Sequence, residues 1–153
     1  MRMRFIWIGK TRDARLRALV DDYLARLGRF VRYEITELRE SLASDNRAGI
    51  EDDGKRIIGA LHSDAVSIVL DVNGRELSSQ ELAAEIEKWQ SNGVKQIDFV
   101  IGGANGVSAG ALKRAKHKWS LSRFTLTHEM ARVVLAEQLY RAYTIINGLP
   151  YQK

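Results

Sequence analysis

The residues best suited to chemistry lie between Phe99 and Lys153. An apolar run, Phe99-Val100-Ile101, leads into Gly102-Gly103-Ala104-Asn105-Gly106. Glycines place no side chain between the backbone and a ligand. No acidic residue occurs between Asp98 and Glu129, yet Lys113, Arg114, Lys116, Lys118 and Arg123 do. A glycine-rich turn in an electropositive segment suggests a site for a polar ligand, with an anion among the candidates. The turn fits neither the dinucleotide fingerprint nor a Walker A loop, and a plain tight turn from strand to helix explains it equally well. Further on, His128 and Arg132 are one helical turn apart and can face the same cleft. For His128, a helix cap or a surface position is the plainer reading. Glu137 and Arg141 are i, i+4 partners. They form either a salt bridge within an interface or a pair in which Glu137 orients Arg141 into a site.

The elements that must position these residues follow from periodicity. Met3 to Gly9 reads as a strand. Asp13 caps a helix to about Leu27, with Gly28 at its C-terminal cap. Val31 to Leu38 alternates apolar and polar residues, as a strand with one wet face does. An acidic loop then enters a helix that ends near Leu61. Ala65 to Leu70 has the length and composition of a buried parallel strand and stops at Asp71-Val72-Asn73-Gly74. Ser78 to Glu81 resembles a capping box for a helix to about Gln90. Lys95 to Ile101 is a strand, a short basic helix follows, and Trp119 to Leu126 is strand-like. The last helix runs from His128 to Asn147.

This order, β-α five times over, predicts an α/β fold: a mainly parallel sheet with helices on both faces. Ligands bind such sheets beyond the carboxyl ends of their strands. Three late loops lie there: after Leu70, after Ile101, and around Ser120 to Thr127. The last helix is apolar nearly all round, so one face should meet the sheet and another a second subunit, giving a homodimer.

With 153 residues, 45% hydrophobic and 28% charged, the chain is expected to fold as a single domain spanning 1–153. Its net charge of +5 is compatible with a nucleic-acid partner. Nine basic residues against three acidic ones in the first 32 positions read as a solvated face or a phosphate-contacting patch. The chain has no cysteine, which excludes thiolate chemistry and disulfides, and three scattered histidines argue against a metal site. No apolar stretch suits a membrane span or signal peptide, so the expected location is cytoplasmic, with no membrane partner.

Several blocks carry a resemblance. Ile101-Gly102-Gly103 with Gly106, Ser120-Leu121-Ser122, Leu126-Thr127-His128, Ala131 to Ala142 with its Glu-Gln-Leu-Tyr-Arg-Ala run, and Pro150-Tyr151 together resemble the ribosomal RNA large subunit methyltransferase H family. The resemblance runs the whole chain and is most specific from Leu70 onward. It implies a SPOUT-class fold with a C-terminal trefoil knot, a homodimer, and S-adenosyl-L-methionine as cofactor. The implied reaction is methylation at N3 of a pseudouridine in 23S rRNA of the assembled ribosome.

Carried over by position, the cofactor would be held by Leu70, Gly102 and Gly103, and by Leu121, Ser122, Arg123, Phe124, Thr125 and Leu126. His128, Arg132, Arg141 and Tyr151 are the catalytic candidates. Arg132, Arg141 and Lys153 are cations that would favour the imide anion. Gln152 and Lys153 would contact substrate. The family tail usually reads Pro-Tyr-His and a basic residue, whereas this chain has Pro150-Tyr151-Gln152-Lys153. Glutamine is no base near neutral pH, so a tail that positions RNA is the favoured reading. Thr127 stands where the family commonly has proline, and threonine can cap the helix that proline would begin. The alternatives are a non-catalytic ribosome- or RNA-binding protein of the same fold and an α/β enzyme for a small phosphorylated metabolite.

Overall fold

The computed structural model describes residues 1–43 and 46–151. Elements alternate along the chain: β1 (Arg2–Ile8), α1 (Ala14–Leu27), β2 (Arg32–Leu38), α2 (Asn46–Ala60), β3 (Val66–Glu76), α3 (Ser79–Ser91), β4 (Gln96–Ile101), α4 (Ala109–Arg114), β5 (His117–Ser120) and α5 (His128–Ile146). The strands form one sheet in the order β2-β1-β4-β3-β5, and every pairing is parallel. The expected α/β architecture is therefore present.

Side chains alternate across the central strands, so each strand feeds two cores. Phe5, Trp7, Phe99 and Trp119 face α1, α3 and α5. Phe5 stacks on Phe99 at 5.8 Å between centroids, and Trp89 on Trp119 at 5.6 Å. Ile6, Ile8, Val69 and Val100 face the other way, against Ile57 and Leu61 beside α2 and Ala111 of α4. The edge strand departs from the expected pattern. Both faces of β2 are largely open, with Tyr33 and Ile35 exposed, while its last residue, Leu38, packs against the cluster beside α2.

The helix ends follow the capping chemistry in the sequence. Asp13 accepts hydrogen bonds from Arg15 N and Leu16 N at the start of α1. Ser78 and Glu81 close both arms of the capping box, with Ser78 N donating to Glu81 Oε2 at 2.7 Å and Glu81 N to Ser78 Oγ at 3.1 Å. Thr127 caps α5 through Met130 N. Gly28 does cap α1, in the ordinary right-handed conformation.

Two strand ends differ from expectation. β3 does not stop at Leu70: after a shift in register between Leu70 and Arg75 it continues to Glu76 alongside β5. Gly74 permits this, since a Cβ there would meet the backbone of Lys118 and Trp119 at 2.7 Å. β5 is shorter than the run from Trp119 to Leu126 and ends at Ser120, releasing residues 121–127 as a loop.

The apolar circumference of α5 is largely buried within the chain. Val133, Ala136, Leu139 and Tyr143 join the core cluster shared with α1, α3 and the sheet. A stripe through Met130, Val134, Glu137 and Arg141 stays half-buried or exposed.

Candidate active site

Loops leaving the carboxyl ends of β1, β4 and β5, together with the irregular stretch from Leu70 to Val72 inside β3, enclose a cleft of about 920 Å³. That is the size range of small-molecule sites. Leu70, Gly102, Gly103, Leu121, Ser122, Phe124, Thr125 and Leu126 all line it, as does His128. The three segments expected to meet do meet, although the one after Leu70 belongs to β3 and is not a loop. The fourth, between β1 and α1, contributes Asp13 and Leu16, which sequence reasoning missed as site residues. The sheet order is what brings it in, because β1 lies directly beside β4.

The glycine turn is held by internal packing. A Cβ on Gly102 would lie 2.7 Å from Gly106 O and from Val107 Cγ2. Gly103 has more room, with Ile8 Cγ2 at 3.3 Å. Gly106 N donates to Gly103 O, closing the turn. The 121–127 loop is tied equally firmly. Ser120 Oγ donates to Ser122 O at 2.8 Å, and Phe124 N donates to Ser122 Oγ at 2.9 Å.

The charge of the cleft is opposite to that of the segment that supplies much of it. Asp13, Asp71 and Glu129 line it, and among the described residues no lysine or arginine does. Arg123, Lys113, Arg114, Lys116 and Lys118 all lie outside the lining, so the basic segment that made an anion one of the candidate ligands does not supply the cleft with cations. Glu129 Oε1 accepts a hydrogen bond from Asp13 N at 2.9 Å, which joins the start of α5 to the start of α1. The Arg15 guanidinium, hydrogen-bonded to Asp13, lowers that carboxyl to about 2, so it is ionised at neutral pH.

His128 is 4.0 Å from Glu129, measured Nε2 to Oε2. Its pKa is lowered, first by burial and then by the positive charge of Arg132, and Glu129 opposes this only in part. The imidazole is therefore neutral at neutral pH.

Arg132 does not share the cleft. It is 1% exposed and turned beneath the cleft floor, where it donates to Ile8 O at 2.7 Å and to Thr11 Oγ1 at 2.9 Å. Burial lowers its pKa to about 10, so it remains charged. Arg141 and Tyr151 are also outside the cleft. Arg141 Nε donates to Glu137 Oε1 at 3.0 Å, and its guanidinium lies 4.9 Å from the Tyr151 ring centre. Tyr151 Oη donates to the same Glu137 oxygen at 3.0 Å. Burial, then that bond, raises the phenol to about 12. Gln152 and Lys153 lie outside the described residues.

Among the described residues no group of three or more His, Asp or Glu side chains could hold a metal ion. No described helix is long and apolar enough to cross a membrane.

Comparison with known proteins gives the cleft its context. The family described as "Predicted SPOUT methyltransferase" matches residues 1–152. The chain is 41% identical over 159 residues to the Ribosomal RNA large subunit methyltransferase H of Limosilactobacillus reuteri, with all of both chains covered. It is 40% identical over 151 residues to the protein of the same name from Geotalea daltonii, covering 99% of each. A third relative of that name, from Acetivibrio thermocellus, is 36% identical over 159 residues. A parallel α/β sheet, a cleft at its carboxyl edge and full-length identity at this level agree: the chain belongs to the ribosomal RNA large subunit methyltransferase H family of SPOUT methyltransferases.

Proposed function

We propose that this chain transfers a methyl group from S-adenosyl-L-methionine to N3 of a pseudouridine in 23S rRNA of the assembled ribosome. The observation that carries the reading is the lining of the cleft. Three carboxylates, with no lysine or arginine among the described lining residues, suit a ligand bearing sulfonium and ammonium charges and disfavour a phosphorylated metabolite. Leu16, Val72, Leu121 and Leu126 supply apolar surface for an adenine ring, and the tight glycine turn exposes backbone groups to the ligand's polar parts.

When bound, S-adenosyl-L-methionine supplies an electrophilic methyl group on sulfur. The residues of the chain do the rest. The stretch from Leu70 to Val72 and the loops after β4 and β5 would hold the donor beside the acceptor base. The pseudouridine imide must lose its N3 proton as the new N–C bond forms. His128 is neutral and lines the cleft, so its free ring nitrogen can take that proton. Glu129 then stabilises the imidazolium. The cations Arg132 and Arg141 act elsewhere: Arg132 fixes the cleft floor, and Arg141 fixes Glu137 and Tyr151. The acceptor base must be unpaired or turned out of its stack to reach N3.

The remaining parts of the reading rest on the family. They are the trefoil knot, a single domain over 1–153, a cytoplasmic place of action with the ribosome, substrate contacts from Gln152 and Lys153, and a homodimer. The half-open stripe of α5 through Met130 and Val134 supports the dimer, and a monomeric mass by light scattering at micromolar concentration would refute it. The enzymatic test is transfer of labelled methyl from S-adenosyl-L-methionine to ribosomes lacking the modification, with naked ribosomal RNA in parallel. Label on one pseudouridine, in ribosomes only, is the expected result. Intact cofactor binding with no transfer would overturn it in favour of a binding protein.

A further inference from the structure

Phe124 is 83% exposed although it lines the cleft. Covering such a ring at the mouth of a site would remove apolar surface from water and favour a ligand that does so. The backbone that carries the ring is held in place. Its own amide is held by Ser122 Oγ at 2.9 Å, and the carbonyl of Ser122 is held by Ser120 Oγ at 2.8 Å. The loop therefore presents the ring outward on a fixed backbone. Val72, 48% exposed, lines the same cleft from β3, the neighbour of β5. Together they form an apolar lip. Arg123 stands next to it, exposed, with no acidic partner among the described residues. No carboxylate occurs anywhere from Phe99 to His128.

We propose that Phe124 is a stacking platform for a nucleobase of the RNA substrate and that Arg123 contacts the adjoining phosphate. This assigns the Phe124 ring to the acceptor, while the backbone of the same loop serves the donor; it rests on the function proposed above. The occupant is argued from chemistry. An aromatic face beside an unneutralised guanidinium matches a base attached to a phosphate, and every base offers a π face. An apolar protein surface would gain nothing from Arg123. A stacked base at the mouth would also hold the acceptor ring edge-on to the cleft, where N3 must be presented.

The test uses full-length protein and ribosomes lacking the modification. Stacking on one aromatic is worth about 1–3 kcal/mol, so Phe124→Ala should lower kcat/KM for ribosomes by about 5- to 150-fold. Phe124→Tyr should stay within about threefold of the parent, while Phe124→Leu, apolar but without a π face, should resemble Phe124→Ala. Cofactor affinity by calorimetry and mass by light scattering should not change. Arg123→Ala should raise KM and flatten its dependence on salt. Full activity in Phe124→Ala or Phe124→Leu would overturn the proposal. A parallel loss of cofactor affinity would overturn it in favour of a cofactor wall, and a changed mass in favour of a contact with a second copy. Co-sedimentation of the same variants with unmodified ribosomes reads the contact without turnover. If the parent protein proves inactive, the proposed reaction fails, and sedimentation still decides whether Phe124 binds RNA.

Discussion

The guanidinium of Arg132 lies 4.8 Å from the centre of the Trp7 ring, inside the protein and below the cleft. It holds the last carbonyl of β1, Ile8 O, and the hydroxyl of Thr11. Arg132 thus ties the β1–α1 loop to α5, and Glu129 makes a second tie through Asp13 N. Arg132→Met should cost about 2–4 kcal/mol, because two buried acceptors lose their donor and the ring loses its cation. Arg132→Lys should recover little, since an ammonium cannot reproduce the fork and the stack. Urea denaturation midpoints check both, and unchanged midpoints would show that the contact carries no stability.

His128 gives a pH signature. Its folded pKa is below the ordinary 6.5, so the unfolded chain binds more protons between the folded value and 6.5. Stability contributed there is present above 6.5 and declines as pH falls through the folded value. His128→Asn should flatten that slope and reduce kcat by about 10²–10⁴-fold if the imidazole takes the N3 proton. Arg132→Met removes a nearby positive charge and should move the acid limb of kcat/KM to higher pH. An acid limb that stays in place in both variants would assign the proton to another group.

The two central glycines of the turn should differ. Gly102→Ala pushes a methyl group against the Gly106 carbonyl and Val107, and should destabilise the chain by about 1–3 kcal/mol and weaken cofactor binding. Gly103→Ala meets only the end of Ile8 and should be milder. Calorimetry with S-adenosyl-L-methionine ranks them, and the reverse order would contradict the packing described.

Asp71 offers a test of charge in the cleft. Asp71→Asn should weaken S-adenosyl-L-methionine by a larger factor than S-adenosylhomocysteine, whose sulfur is uncharged. Equal losses would mean that Asp71 acts by shape or by its hydrogen bond to Asn73 N, not by charge.

Much of the fold was legible in the sequence because each strand and helix carries its own period and caps. Asp13, Ser78 and Thr127 all start the helices they were expected to start. The cleft segments after Leu70, Ile101 and Ser120 were legible for the same reason. What periodicity lacks is strand order, so it shows Asp13 and Leu16 only as a helix cap and a helix residue. Arg132 shows a second limit. Four residues along a helix advance about 6 Å and rotate about 40°, enough to carry a side chain from a cleft wall to beneath its floor. The continuation of β3 past Leu70 depended on a backbone approach at Gly74 that a turn-like composition conceals.

The place of β1 in the sheet also bears on how the chain is made. β1 pairs on one side with β2, about thirty residues later, and on the other with β4, where Arg2 lies opposite Gln96. The first edge can zip as soon as the β1–α1–β2 unit leaves the ribosome. The second stays open until Ile101 has been synthesised, with half of the Phe5 and Ile6 environment missing. Contacts this distant in sequence close slowly. A nascent chain halted before β4 would therefore present an unpaired apolar strand edge, which makes the interval between β2 and β4 the period in which this protein most needs protection from aggregation.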